Sequence, residues 1–342
     1  MKKILITGGA GFMGSNAALF FKKKKWSIIL IDDLSRKGSK NNLLNLKKKI
    51  NLKFFQADVS DYSKISKIIS KNKPNMILHC AGQVAVTKSV QDPRRDFNSN
   101  ALGTFNVLES VRNFSKNSKL IYISTNKVYG NIKKNIYSNS KRYLFKNSKN
   151  KIDETCPLDF YSPYGCSKGT ADQYVRDYSR IYNLNTTVLR LSCIYGGMQY
   201  GIEDHGWITW LTMSAIFGKK IKIFGNGKQV RDALYIDDLV ELFFKISIAS
   251  TTKSKIYNVG GGNKNSLSLI ELITSLESKL QKRVNFKKYD WRPGDQKIYI
   301  SDISKVSKEL NWKPKVKISD GLDKVINWIE SNKKSIKKTL KI

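Results

Sequence analysis

The chain is poor in acid. Its 342 residues hold 27 Asp and Glu against 62 Lys and Arg, a formal charge of +35. It has only two histidines, four cysteines and six prolines. Cys80, Cys156, Cys166 and Cys193 lie far apart, and none forms a Cys-x-x-Cys pair. A zinc site or a disulfide framework is therefore not expected, no metal is assigned, and a reducing cytoplasm suits these thiols. No apolar run reaches the length of a membrane span, so no membrane partner is expected. The apolar residues after Lys3 stop at Gly8, too soon for the core of a signal peptide.

The surplus of lysine does not imply a nucleic-acid partner. Lys22 to Lys25, Lys47 to Lys49, Lys71, Lys73, Lys133, Lys134, Lys337 and Lys338 are scattered. A single-strand binding groove needs one basic stripe interleaved with aromatics. The pattern reads instead as solvated helix faces. A basic surface also suits an anionic substrate that carries a diphosphate.

What is present starts with glycine. Lys3 to Thr7 reads as a buried strand, and Gly8-Gly9-Ala10-Gly11-Phe12-Met13-Gly14 turns it into an amphipathic helix ending near Lys24. Gly8 permits the tight turn, Gly11 lets the backbone approach a pyrophosphate, and Gly14 lets helix pack on strand. The phosphates of a dinucleotide would sit at the helix N-terminus. The next strand, Ile28 to Ile31, ends in Asp32-Asp33, about twenty residues on, where an acid favours NAD over NADP. Arg36 nearby is the one residue that could instead accommodate a 2′-phosphate.

The alternation continues. Leu52 to Phe55 is a strand leading to Asp58, a candidate for the adenine edge. Asp61 caps a helix to about Lys71. Met76 to His79 is the fourth strand, followed by Cys80-Ala81-Gly82-Gln83, small residues where a cofactor would pass. One helix is expected from about Asp92 to Phe114, carrying Asn100, and Leu120 to Ile123 is the fifth strand, with Ser124-Thr125 at its end. This rhythm predicts an α/β fold, a Rossmann-type doubly wound parallel sheet with ligands at the strand C-termini. His79 reads as a packed strand-end histidine.

Residues 131–152 break the rhythm and are expected to be a loop or flap. Tyr164 and Lys168 follow on a helix of about 162–182, four residues apart and so on one face. An ammonium beside a phenol lowers the tyrosine pKa, which suits reversible alcohol–ketone chemistry. Thr187 to Leu191 is the sixth strand. Two domains are expected. Residues 1–192 are the dinucleotide-binding part, with the insert at 131–160. Residues 193–342 are a smaller mixed α/β substrate-binding part, with some chain returning to the sheet around 234–260. Arg231 and Arg292, each expected in a turn, suit bidentate phosphate contacts. Gly260 to Gly262 reads as a plain turn before the next helix.

Over nearly its whole length the chain resembles the extended short-chain dehydrogenase/reductase family of nucleotide-sugar epimerases and dehydratases. The resemblance rests on Thr7 to Gly14, Asp32, Asp58, Ser124-Thr125, Val128-Tyr129-Gly130, Tyr164-x-x-x-Lys168, Arg231-Asp232 and Arg292-Pro293-Gly294-Asp295. It implies that Tyr164 is the acid/base, that Lys168 binds the nicotinamide ribose and depresses the tyrosine, and that Thr125 bonds the reacting hydroxyl. It also implies a tightly bound NAD held by Gly8, Gly11, Phe12, Met13, Gly14, Asp32, Asp33, Ser35, Arg36, Asp58, Val59, Ala81, Gln83 and Asn100, together with Tyr164 and Lys168. The implied substrate contacts are Gln83, Thr125, Asn126, Lys127, Cys193, Gln199, His205, Arg231 and Arg292, the two arginines clamping the diphosphate. A homo-dimer or homo-tetramer built on helices 92–114 and 162–182 is implied as well.

Within the family, Ser124 to Gly130, Leu158 to Gly169, Gly225 to Asp232 and Ser266 to Leu269 most resemble the branch that epimerises CDP-linked dideoxy sugars at carbon 2. His205 and Cys193 depart from that branch near the sugar. The 4,6-dehydratases carry Asp-Glu after the threonine, and this chain has Asn126 and Lys127, so elimination of water lacks its proton-transfer pair. A UDP-hexose 4-epimerase uses the same catalytic set and remains the alternative. A net dehydrogenase, a dinucleotide sensor and an RNA-binding protein of the same fold are further alternatives.

Overall fold

The computed structural model describes residues 1–131, 135–147, 152–292 and 295–342. Lys133, Lys134, Pro293 and Gly294, named above, lie outside them. The chain forms two compact units that interleave along the sequence. The first is Met1–Val128, Phe160–Arg190 and Leu239–Tyr257; the second is Tyr129–Asp159, Leu191–Asp238 and Asn258–Ile342. Against the expectation of a boundary at residue 192 with chain returning to the sheet around 234–260, the difference is the insert, which falls in the second unit and not the first.

The first unit is built on β1 (Lys3–Thr7), α1 (Phe12–Lys23), β2 (Ser27–Asp32), α2 (Ser39–Lys49), β3 (Leu52–Gln56), α3 (Tyr62–Asn72) and β4 (Met76–His79). It continues with α4 (Val86–Gln91), α5 (Pro93–Phe97), α6 (Gly103–Phe114), β5 (Lys119–Thr125), α7 (Ser162–Ile181), β6 (Asn185–Leu191), α8 (Ile236–Ile248) and β7 (Lys255–Val259). The seven strands hydrogen-bond in the order β7-β6-β5-β4-β1-β2-β3. The order reverses direction beside β1, and in such sheets the crevice lies there, at the strand C-termini.

Both faces of this sheet are covered, which is why its strands are apolar runs rather than alternating ones. On one face Ile65, Val107, Val111 and Val175 from α3, α6 and α7 pack on Leu5, Ile29, Ile77 and Leu120. Elsewhere in the unit Phe21 of α1 makes edge contacts with Trp26 and with Phe244 of α8. The C-terminal end of α8 is closed by Lys119, whose ammonium donates to the carbonyls of Ile246 (2.7 Å) and Ala249 (2.5 Å). A cation at that pole also complements the helix dipole. Asp61 caps α3 as expected, accepting from the Lys64 N–H at 3.0 Å.

The single helix expected over 92–114 is three pieces. Pro93 opens α5 with Asp92 capping the Arg95 N–H, and a π turn at Asn98–Leu102 leads into α6. A π turn adds a residue to one turn and leaves ladder groups needing other partners. Here the Thr104 hydroxyl donates to the Asn100 carbonyl at 2.6 Å.

The second unit is smaller and mixed. Its central strand, Val230–Tyr235, pairs antiparallel with Ser266–Ser268 and parallel with Ile298–Tyr299 and Cys193–Tyr195. Arg231 is thus on a strand, not in a turn, because it continues the ladder that Val230 begins. Gly260 to Gly262 leads first into the strand Ser266–Ser268 and only then into the helix Leu269–Leu280. The expected flap contains an antiparallel hairpin, Ile136–Ser138 with Tyr143–Phe145. It is tied down: Arg142 makes a bidentate pair with Glu271 (2.6 and 2.8 Å), and the Tyr143 N–H donates to the Lys228 carbonyl (2.9 Å).

One buried ion pair anchors α7 to the sheet. Arg190 of β6 is 1% exposed and donates through Nε and Nη2 to both oxygens of Asp172, at 2.9 and 3.0 Å. Ser124 of β5 donates to the same carboxylate at 2.8 Å. Removing one partner strands a buried charge. Arg190→Met is expected to cost about 3 to 5 kcal/mol in urea unfolding, and the double change Arg190→Met with Asp172→Leu much less. Equal losses in the single and double variants would contradict this account of α7.

Candidate active site

The glycine turn behaves as its spacing predicts. Gly8 has φ +64°, the left-handed region that favours glycine. A Cβ on Gly14 would stand 2.3 Å from the Gly8 carbonyl, so only glycine allows α1 to start this close to β1. Phe12 and Met13 form the first turn of α1 behind Gly11, and the first N–H groups of any helix lack partners within it. Such an end receives an anion.

Asp32 closes the other side of the turn. It is buried at the end of β2 and accepts from the N–H groups of Ala10 (3.0 Å) and Leu34 (2.8 Å). Burial pushes its pKa up, and those two hydrogen bonds oppose the rise. Each oxygen keeps a further lone pair for a ribose hydroxyl. Asp33 accepts from the Ser35 N–H (3.0 Å) and hydroxyl (2.8 Å), so these two candidates hold each other at the surface. Arg36 stands within electrostatic range of both Asp32 and Tyr164. Asp58 accepts from the Ser60 N–H (2.8 Å) and hydroxyl (2.9 Å), and Val59 beside it is buried. The Ala81 N–H donates to the Thr7 hydroxyl at 3.2 Å, which keeps the chain after β4 against β1.

Tyr164 and Lys168 are both buried on α7. Thr125, at the end of β5, acts on the phenol of Tyr164 and favours its ionised form, while its hydroxyl donates to Asn126 Oδ1 at 3.4 Å. The expected coupling of lysine to phenol is not there. The Lys168 ammonium donates to the Ile123 carbonyl (2.5 Å) and lies 4.3 Å from the centre of the Tyr122 ring. Burial pushes the Tyr164 phenol up to about 12, with Thr125 and then Arg36 opposing the rise and Asp96 adding to it. Burial takes the Lys168 ammonium down to about 8, against Cys80, Asp172 and Asp96. Desolvation therefore outweighs any help the lysine gives the phenol.

Gln83 and Asn100 are less free than expected of ligands. Gln83 bonds both backbone groups of Ala85 and donates to Asp96 at 2.9 Å. Asn100 donates to Asp96 (3.2 Å) and to Ser167 (3.1 Å), while its Oδ1 is buried without a partner. That orphaned acceptor, the glycine turn and Asp32 together fit a dinucleotide. Asp96 and Ser167 were missed in the sequence, where nothing marks Asp96 as buried. After β5, Asn126 and Lys127 enter a 3-10 turn, and the Lys127 N–H donates to the Thr125 hydroxyl at 3.2 Å.

The remaining candidates belong to the second unit. The Cys193 thiol accepts from the Trp207 indole (3.2 Å). Gln199 is buried and engaged at both ends, by the Ile194 carbonyl and by the Thr209 hydroxyl. It serves as a tie within that unit rather than as an exposed ligand. His205 pairs through its backbone with Ile202. Arg231 donates to its neighbour's carbonyl at 2.8 Å and lies 3.7 Å from Asp295. Arg292 covers the Phe224 ring at 3.7 Å and approaches Asp204 (3.3 Å) and Glu203 (3.4 Å). These long pairs leave both guanidiniums exchangeable for a stronger anion. Among the described residues no cluster of His, Cys, Asp or Glu could hold a metal, and no helix is long and apolar enough to cross a membrane.

A family model described as GDP-mannose 4,6 dehydratase matches residues 5–325. The chain is 42% identical over 336 residues to CDP-paratose 2-epimerase of Salmonella typhi, covering 96% of this chain and 99% of that protein. It is 29% identical to dTDP-glucose 4,6-dehydratase 1 of Escherichia coli strain K12, covering 97% and 94%. Its fold is similar to a crystal structure of UDP-glucuronic acid 4-epimerase from Bacillus cereus in complex with UDP-glucuronic acid and NAD. That likeness has a TM-score of 0.83 and 26% identity over 96% of this chain and 99% of that one.

His79 also meets its expectation. It is fully buried at the end of β4, between the hydroxyls of Thr7 (2.6 Å) and Thr104 (3.0 Å), and burial takes its pKa down to about 3. Below pH 6.5 the unfolded chain takes up a proton that the folded chain refuses, so stability is lost as pH falls from 6.5 towards 3. The loss from this one group reaches about 2 kcal/mol at pH 5. Chemical denaturation across that range is expected to show a flatter acid decline for His79→Gln; an identical decline would remove His79 as a cause.

Proposed function

The chain belongs to the GDP-mannose 4,6 dehydratase family, and from that premise we propose that it is an NAD-dependent nucleotide-sugar epimerase that converts CDP-paratose to CDP-tyvelose. The observation that carries the choice of substrate is the 42% identity, over nearly both chains, to a protein named for that reaction. The choice of epimerisation over dehydration has a second support. Asn126 and Lys127 follow Thr125 here, and neither supplies the carboxyl acid and base that elimination needs.

NAD, when bound, supplies a reversible hydride acceptor. The glycine turn would receive its pyrophosphate at the N-terminus of α1, and Asp32 would take the adenosine ribose. Asp58 and Val59 would border the adenine, and Arg231 and Arg292 would hold the substrate's diphosphate.

Tyr164 carries the proton chemistry at its Oη. As tyrosinate it takes the proton of the sugar's 2-hydroxyl while carbon 2 is oxidised to a ketone. It returns that proton once carbon 2 is reduced on its opposite face. Thr125 lowers the cost of the tyrosinate and orients the sugar oxygen. A phenol near 12 is almost wholly protonated at neutral pH, so little of the basic tyrosinate is present. Lys168 would hold the nicotinamide ribose of a bound NAD, and its charge together with the positive charge NAD would supply there would favour the phenolate. The burial of Thr125, Tyr164 and Lys168 keeps water from the reacting oxygen and protects the keto sugar between the two halves of the cycle.

A second reading is epimerisation at carbon 4 of a UDP-hexose, favoured by the likeness to the Bacillus cereus 4-epimerase. Incubation with CDP-paratose and, separately, with UDP-glucose decides between them. CDP-tyvelose is expected from the first and no UDP-galactose from the second, with no NADH released into solution. Tyr164→Phe is expected to keep its NAD and to lose about 10²- to 10⁴-fold in kcat. Turnover within about tenfold of the parent enzyme, a change of ~1.4 kcal/mol, would remove Tyr164 as the acid/base.

A further inference from the structure

Asp96 has no part in the chemistry just described, yet its environment is unusual. Its side chain is fully buried on α5. Its carboxylate meets three donors: the hydroxyl of Ser167, Nε2 of Gln83 at 2.9 Å and Nδ2 of Asn100 at 3.2 Å. Among the described residues no basic side chain forms an ion pair with it. A carboxylate held in this way is costly to keep and needs a reason.

The donors point to one. Gln83 follows β4, Asn100 lies in the π turn, and Ser167 sits on α7 directly before Lys168. Ser167 also reaches the Tyr164 carbonyl at 3.2 Å. A Cβ on Gly82 would stand 2.5 Å from Asn100 Oδ1, so the chain after β4 closes onto the same group. Three segments that border Tyr164 and Lys168 are thus fastened to a single carboxylate.

Resting on the assignment of Tyr164 and Lys168 as the acid–base pair, we propose that Asp96 is a positioning residue. It gathers Gln83, Asn100 and Ser167 into one network and supplies a negative charge that acts on Tyr164 and Lys168 together. The other groups facing the pair are Arg36, His79, Cys80, Tyr122 and Asp172. His79 is neutral, and Cys80, pushed up to about 12, keeps its proton at neutral pH. Asp172 is paired with Arg190 and acts on Lys168 as well, more strongly than Asp96 does. Asp96 is the carboxylate of the set without a cation of its own. Its charge favours the protonated form of both Tyr164 and Lys168. Removing it lowers both pKa values, so both limbs of a pH profile move the same way.

Asp96→Asn keeps the shape and removes the charge. The Ser167 hydroxyl can turn to the Tyr164 carbonyl and accept from the new amide. In the NAD-loaded enzyme, the acid and alkaline limbs of kcat/KM are both expected to move to lower pH by about half a unit or more. Ultraviolet titration of the phenol, with the Tyr164→Phe spectrum subtracted, is expected to move likewise without reference to turnover. Ser167→Ala, which keeps the charge, leaves the limbs in place. Asp96→Ser is the second neutral variant should the amide fail to fold, and it is read in the same way. Lower rates at unmoved midpoints would show Asp96 to be structural only and would overturn the proposal. If Tyr164→Phe is inactive while the neutral variants leave both limbs unmoved, this inference alone fails. If Tyr164→Phe stays active, the acid–base reading fails first.

Discussion

Burial of Tyr164 and Lys168 along one face of α7 is the constraint on which the site depends. Desolvation drives the phenol up to about 12 and the ammonium down to about 8, so each is pushed towards its neutral form. A neutral pair is poor at moving a proton, and the surroundings answer this with fixed charge and hydrogen bonds. Thr125 favours the ionised phenol, the Ile123 carbonyl takes the ammonium, and Asp172 and Asp96 stand behind it. None of these holds unless α7 is fixed on the sheet, which is the work of the Arg190–Asp172 pair.

Much of the first unit was legible because its rules are local. Strands buried on both faces read as Val/Ile/Leu runs, and the glycine turn announces itself by positions where a Cβ has no room. Asp61 as a cap and His79 as a packed residue were also readable from position alone. The break in the helix over 92–114 was not. Phe97 to Phe114 has no proline to interrupt it, and the π turn is held by the tertiary contacts of Asn100 with Asp96 and Ser167. The hairpin in the insert was hidden for a similar reason. Its polar residues look like a loop until Arg142 is seen on Glu271.

The site was legible as a set of residues but not as a set of directions. Tyr164 and Lys168 are four apart and share a helix face, yet the lysine points to a strand carbonyl and not to the phenol. Spacing fixes which residues can meet, while burial decides what they prefer to touch. Asp96 shows the same limit. An aspartate between Arg95 and Phe97 looks like an exposed charge, and only the packing of α5 on α7 turns it into a buried one. The tie made by Gln199 at both ends was equally invisible.

The central claim is a closed cycle in which the hydrogen that leaves carbon 2 is the one that returns to it, on the other face. CDP-paratose carrying deuterium at carbon 2 tests this directly, with mass spectrometry and proton NMR of the product. The account predicts CDP-tyvelose that retains the label at carbon 2 at full occupancy in ordinary water. Loss of the label to solvent, or its appearance at another carbon, would contradict it.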